Sequence, residues 1–144
     1  MSDLIISFSP AKELGESFVD LWEKKLEAIP VNGKQLPHEE YLHLAVTKRD
    51  EAGAYVGGFY GFGLQNWLNI HVLYVEPDLR HHGIGSEFVK AAEREVRQRD
   101  YAGMLVHTNT ALSFYQKNGF TLLGQLPNRP RGATTYILTK ELDS

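Results

Sequence analysis

The chain has 144 residues, 42% of them hydrophobic and 23% charged, which suits one globular domain, residues 1–144, burying roughly two-thirds of its unfolded surface around one core. Fifteen Lys and Arg stand against 18 Asp and Glu, a net charge of −3 with no long run of like charges, so a nucleic-acid binder held by a broad basic face is disfavoured. The absence of cysteine excludes disulfides, thiolate catalysis and cysteine-based zinc sites.

The opening "DLIISFS" reads as a short strand, and "SPAKELGESFVDLWEKKLEA" follows with Leu14, Phe18, Leu21, Trp22 and Leu26 at helical spacing behind a Ser9-Pro10 start. Asp3 and the shortness of the apolar run argue against a secretory leader, and no window reaches the length of a membrane span, so no membrane partner and a cytoplasmic location are expected. Residues 29–40 are rich in Pro, Gly and Asn and predict a loop, with one helical turn at "PHEEY". Three strands follow as an antiparallel meander: "YLHLAVTKR", "AYVGGFYGFGL" and "NWLNIHVLYV", with turns at "DEAG" and "QN". The helix "SEFVKAAEREVRQRD" carries an apolar stripe of Phe88, Val89, Ala92 and Val96, and sets Glu93 four residues before Arg97. "AGMLVHT" is a short buried strand, "TALSFYQKNG" a helix stopped by Gly119, and "FTLLGQL" and "ATTYILTKEL" are closing strands. A helical crossover between the third meander strand and "AGMLVHT" requires a parallel pair among antiparallel ones. The expected fold is therefore α/β (α+β), with a mixed, mostly antiparallel sheet of about seven strands flanked by helices.

The connection "LRHHGIGSEF" lies where the third meander strand ends and the next helix begins, and in such sheets ligands collect outside the carboxyl ends of strands. Gly83 and Gly85 permit positive φ and close approach of a ligand, the helix start offers unpaired N–H groups, and Ser86 and Arg80 add a hydroxyl and a guanidinium. A pyrophosphate suits this turn; a glycine pair before a helix also serves simply to turn a corner. The P-loop pattern fails because Gly85 is followed by Ser86 and Glu87, and the dinucleotide fingerprint fails because its third glycine is replaced by Phe88.

Arg80-His81-His82-Gly83-Ile84-Gly85, following "IHVLYVEPD", resembles the Arg/Gln-x-x-Gly-x-Gly/Ala pyrophosphate loop of the GNAT superfamily, the acyl-CoA-dependent N-acetyltransferases. "ALSFYQKNGF" resembles that superfamily's second signature, with Ala111, Tyr115, Gly119 and Phe120 in register, and the tail "GQLPNRPRGATTYILTKEL" is similar to the closing hairpin of a small bacterial subgroup. The element order agrees along nearly the whole chain. One position departs: the asparagine usual three residues before the alanine is Thr108 here, with Asn109 beside it, so either of the two is placed to bond the pantetheine arm.

The resemblance implies a GNAT fold and acetyl-CoA as cosubstrate. Backbone groups of Leu73, Tyr74 and Val75 would pair with the pantetheine amides. Arg80, His81, His82, Gly83, Ile84, Gly85 and Ser86 would wrap the pyrophosphate, and Phe114 and Tyr115 would line the cofactor site. Tyr115 would protonate the departing thiolate after direct attack by an amine, and homodimers are expected at the family level. A core-aromatic role for Phe114 and Tyr115 stands as the alternative.

Direct amine attack on a thioester also needs a route for the acceptor's own proton. A histidine suits proton relay near neutral pH, and His71 by alternation shares a face with Asn69 and Leu73, so it is a candidate relay, or else a histidine that bonds a sheet neighbour; Glu76 is the second candidate. His38, His43, His81, His82 and His107 show no metal-ligand spacing, and no metal site is expected. Arg129 and Arg131 either rim the acceptor pocket or face solvent. The function these residues support is acetyl transfer from acetyl-CoA to a primary amine on a small molecule or peptide. A non-catalytic acyl-CoA-binding or regulatory module is the alternative. No motif selects among small amines, amino acids, aminoglycoside-like antibiotics and protein amines.

Overall fold

Residues 16–34 and 41–142 are described by the structure, a computed structural model. The chain divides into two units, residues 1–39 and 40–144. In the first, helix α1 (Glu16–Glu27) carries Lys24 and Lys25 in its last turn, with the Lys25 ammonium 5.5 Å from the centre of the Trp22 ring. Asn32 and Gly33 both take left-handed φ, 50° and 75°, and close a tight turn in which Val31 and Lys34 exchange backbone bonds of 2.8 and 3.0 Å. The strand expected over 3–9 and most of the turn expected at 37–41 lie outside the described residues.

The second unit is a six-stranded sheet with the order β1-β2-β3-β4-β6-β5. Its strands are β1 (Leu42–Arg49), β2 (Tyr55–Leu64), β3 (Trp67–Val75), β4 (Gly103–Thr108), β5 (Thr121–Pro127) and β6 (Thr134–Glu141). The meander forms as expected, and Gln65 and Asn66, with φ of 54° and 66°, make the turn between β2 and β3. After the short 3-10 turn Pro77–Leu79, helix α2 (Ile84–Arg97) crosses over and delivers β4 parallel to β3. Helix α3 (Leu112–Lys117) then leads to the closing hairpin, in which β6 inserts antiparallel between β4 and β5. With six described strands and helices on a mixed sheet, the expected α/β class holds; the expected seventh strand falls outside the described residues.

One sheet face packs against α2 and α3. The stripe read from the sequence, Phe88, Val89, Ala92 and Val96, is fully buried together with Phe59, Leu68, Met104 and Leu138. Gly57 lets the helix approach: a Cβ there would stand 3.1 Å from the Phe88 ring. On the helix's polar side Glu93 reaches Arg97 at 3.4 Å, as its four-residue spacing predicts, and it also meets Lys140 of β6 at 2.6 Å.

Lys140 links three elements, because its ammonium also donates to the Asn118 carbonyl at the end of α3, 3.1 Å away. Partial burial pushes the Glu93 carboxyl up, but Lys140 and then Arg97 outweigh that and hold it below the usual value of 4.5. A depressed carboxyl stabilises the fold above its ordinary titration range and loses that contribution as the pH falls through its folded value. Lys140→Met is therefore expected to cost about 1–2 kcal/mol at neutral pH, a partly buried pair being worth more than an exposed one. In urea unfolding followed across pH, the gap to the parent protein should narrow as Glu93 protonates below the usual 4.5.

Candidate active site

The sheet opens at one place. β3 and β4 pair from Trp67↔Gly103 to Ile70↔Val106 and no further, although β3 continues to Val75 alongside β2. The register between β2 and β3 shifts at the same level: Gly61 opposes Ile70 and Tyr60 opposes Val72, so His71 is the extra residue of a β-bulge. A bulge bends its strand and increases the local twist, which turns the end of β3 away from β4.

The bulge corrects one expectation. Simple alternation puts His71 and Leu73 on one face; with an extra residue between Ile70 and Val72, Leu73 packs toward the core instead. His71 faces the other side, with its ring centre 6.1 Å from Tyr60 and 6.4 Å from Phe62. The imidazole makes ring contacts there and no hydrogen bond among the described residues. Tyr60 in turn is bonded through its hydroxyl to His43 Nδ1 at 2.7 Å.

Antiparallel alternation also decides which peptide groups of β3 are free. Glu76 donates to the Val56 carbonyl at 2.9 Å, which makes Gly57↔Val75 a pair whose own amide groups point away from β2. Leu73 and Val75 therefore direct N–H and C=O groups toward the opening, whereas the peptide groups of Tyr74 face Gly58 on β2. Of the three residues expected to offer backbone pairing, Leu73 and Val75 are oriented for it and Tyr74 is not.

β3 leads into the glycine turn, where the two glycines do different work. Gly83 takes φ of 82° as the cap of α2, and a Cβ on it would meet nothing within 4 Å, so its requirement is conformational. Gly85 lies inside the first helical turn, and a Cβ there would stand 3.2 Å from the Phe114 ring on α3, so its requirement is steric. His81 is left-handed as well, with φ of 68°. Helix α2 thus starts at Ile84, two residues before the Ser86 start of its sequence pattern, with Gly83 as its cap. The N–H groups of Ile84, Gly85 and Ser86 are left without partners inside the helix, at the positive end of its dipole.

Arg80 does not reach along this turn. Its Nε donates to the Val75 carbonyl at 2.8 Å, and its guanidinium lies 5.3 Å from the centre of the Tyr74 ring, which ties the loop to the end of β3. Beside the first turn of α2 lies a cleft of about 400 Å³ lined by Ser86, Lys90, Glu93, Lys117, Asn118 and Lys140. Lys90 and Lys117 have no acidic partner among the described residues. Neither was singled out from the sequence, although Lys90 follows Ser86 at the four-residue spacing that puts both on one helix face.

Tyr115 on α3 is 4% exposed, with Phe114 and Phe120 packed against it at ring-centre distances of 5.1 and 5.3 Å. Burial pushes its phenol up to about 12, so it stays protonated across any ordinary assay range. α3 is positioned by the two residues before it. Thr108 Oγ1 accepts from the amides of Thr110 and Ala111 at 3.3 and 3.0 Å, closing the turn into the helix. Asn109 looks the other way: its Nδ2 donates to the carbonyls of Arg129 and Thr134 at 2.8 and 3.0 Å and to Thr135 Oγ1 at 2.9 Å. Both side chains are thus engaged within the protein.

The comparisons with known proteins agree with this geometry. Residues 39–122 match the family model described as an acetyltransferase (GNAT) domain. The chain is 35% identical over 109 residues to the blasticidin-S acetyltransferase of Streptomyces morookaense, covering 74% of this chain and 78% of that protein. Its fold resembles the crystal structure of an acetyltransferase from Bacillus cereus ATCC 14579, with a TM-score of 0.81 at 23% identity over 96% of this chain and 98% of the other. It also resembles an N-acetyltransferase of Thermoplasma acidophilum solved with coenzyme A, with a TM-score of 0.59 at 20% identity over 69% of this chain and 61% of that one.

Proposed function

Because this chain belongs to the GNAT acetyltransferase family, we propose that it transfers an acetyl group from acetyl-CoA to a primary amine of a small molecule, by direct attack and with Tyr115 assisting the departing thiolate. The observation that carries this reading is the unpaired edge of β3. Beyond Ile70↔Val106 it offers both peptide groups of Leu73 and the N–H of Val75, whose carbonyl Arg80 already takes, to an extended chain, and it leads through the glycine turn into a helix start with three free N–H groups. An amide-bearing arm that ends in a pyrophosphate matches both features. The cosubstrate supplies an activated acetyl thioester.

Each residue then has a task. Leu73 and Val75 pair with the amides of the arm, and the N–H groups of Ile84, Gly85 and Ser86 take the pyrophosphate, aided by the electropositive helix start. His81 and His82 border the same loop, and Lys90 and Lys117 face the charged end of the cosubstrate across the cleft. Thr108 and Asn109 fix the start of α3 and the neighbouring connection, and Phe114 holds α3 against Gly85. His71, at the bulge, accepts the proton that the acceptor amine releases.

Tyr115 assists in a limited way that its acidity defines. A thiol has an ordinary pKa of about 8.5, so full transfer from a phenol near 12 is uphill by about 5 kcal/mol. Tyr115 therefore stabilises the developing thiolate as a hydrogen-bond donor and keeps its proton. Such a donor contributes to the rate while needing no reorganisation.

The relative that acts on blasticidin S supplies the first acceptor to try. In a thiol-release assay with acetyl-CoA, blasticidin S and a panel of primary amines, release that depends on an added amine and a product heavier by one acetyl group are expected. Binding of CoA without turnover of any amine refutes the reading.

A further inference from the structure

The mouth between β3 and β4 has a second feature besides its free strand edge. The last parallel pair is Ile70↔Val106, and the next residue on each strand is a histidine, His71 and His107. Val106 is buried in the core, so alternation turns the exposed His107 to the opposite face, the one that also carries His71. Two imidazoles therefore flank the mouth on the side away from the pyrophosphate turn.

Arg129 joins them from the connection between β5 and β6, with Nη1 3.2 Å from His107 Nδ1. A guanidinium donates and never accepts, so Nδ1 must be the acceptor. With Nδ1 engaged, the Nε2–H of the exposed His107 ring is left as a second donor. This connection is held at several points. The Arg129 carbonyl accepts from Asn109 Nδ2 at 2.8 Å and from the hydroxyl of Thr135, a buried residue, while the Arg129 amide donates to Ala133 at 3.1 Å. No carboxylate among the described residues lies within ion-pair distance of Arg129 or His107. A planar, permanently charged fork is thus fixed beside an imidazole N–H donor, with no anion to answer either.

We propose that Arg129 and His107 form the recognition site for a carboxylate of the acceptor, so that the preferred acceptors are primary amines that also carry a carboxylate. The planar fork donates to both oxygens of a carboxylate at once, which a neutral carboxamide cannot reproduce. The inference rests on the acetyl-transfer reading above and narrows its substrate class. Arg129 is a specificity residue in this scheme and touches no reacting atom.

The test compares amines that differ only in this group: glycine with glycinamide, 4-aminobutyrate with 4-aminobutyramide, and phenylalanine with its amide, with rates corrected to the free-amine fraction. For the parent protein the carboxylate member of at least one pair should have a kcat/KM tenfold or more above its carboxamide. In Arg129→Gln that ratio should fall at least tenfold through KM for the carboxylate member, with kcat and the KM for acetyl-CoA within about twofold of the parent. Arg129→Lys should recover part of the ratio. Acetylation of both members without preference, or a preference that survives in Arg129→Gln, overturns the carboxylate site and leaves acetyl transfer standing. Failure of every amine, charged or neutral, overturns the acetyl-transfer reading itself and this inference with it.

Discussion

Tyr115→Phe is expected to lower kcat about 100-fold while leaving the KM for acetyl-CoA within about twofold, the signature of an interaction made chiefly in the transition state. The substitution removes one oxygen from a ring that is 4% exposed and wedged between Phe114 and Phe120, so the fold around it should persist. The pH dependence adds an independent check. With a phenol near 12, the parent protein should show kcat/KM rising toward alkaline pH as the acceptor ammonium deprotonates, with no falling limb from Tyr115 below about pH 11. A descending limb below that point that vanishes in Tyr115→Phe would mean a far more acidic phenol and true proton transfer. Stability carries the same information. A phenol raised from 10.0 to about 12 in the folded state contributes stability that is fully present below pH 10 and is lost as the pH climbs through 12. About 3 kcal/mol is at stake for a shift of that size, and Tyr115→Phe should be spared that part of the alkaline loss. Equal alkaline losses in the two proteins would place the phenol in a wetter site than its burial implies.

Gly85→Val should have the next largest effect. Even a Cβ at this position stands 3.2 Å from the Phe114 ring, and the two further methyls of valine force α2 and α3 apart. Overpacking of this kind costs about 1–3 kcal/mol, to be read from the urea midpoint. The displaced first turn no longer presents its N–H groups in register with the pyrophosphate, and the loss of charged hydrogen bonds worth about 1.5–3 kcal/mol raises the KM for acetyl-CoA about tenfold or more. A second substitution separates the steric cause from a requirement for bare backbone near the ligand. Phe114→Ala in the Gly85→Val background should recover much of the lost stability and donor affinity, because it removes the ring that the valine strikes. If the double variant binds acetyl-CoA no better than Gly85→Val, the glycine serves the ligand directly.

Several features of the site were legible in the sequence because they depend on neighbours along the chain. The positive φ allowed at Gly83, the C-terminal Gly119 with φ of 90°, the stripe from Phe88 to Val96 and the order of strands and helices all follow from local conformation and periodicity. The pairing of the glycine turn with Tyr115 downstream rests instead on the resemblance of the two segments to the GNAT signatures.

Tertiary structure decided what depended on residues far apart in sequence. The bulge at His71 breaks the period of two, so only the register against β2 shows that Leu73 and His71 face opposite sides. The steric duty of Gly85 appears only when Phe114 is brought against it from another helix. Asn109 reaches acceptors 20, 25 and 26 residues away, and through them fixes Arg129 beside His107, a partnership that no local pattern encodes. Backbone conformation and hydrophobic period are written in contiguous residues, and they mark the turn proposed to hold the donor. The proposed acceptor half is assembled across the sheet, by contacts whose partners the chain order leaves unspecified.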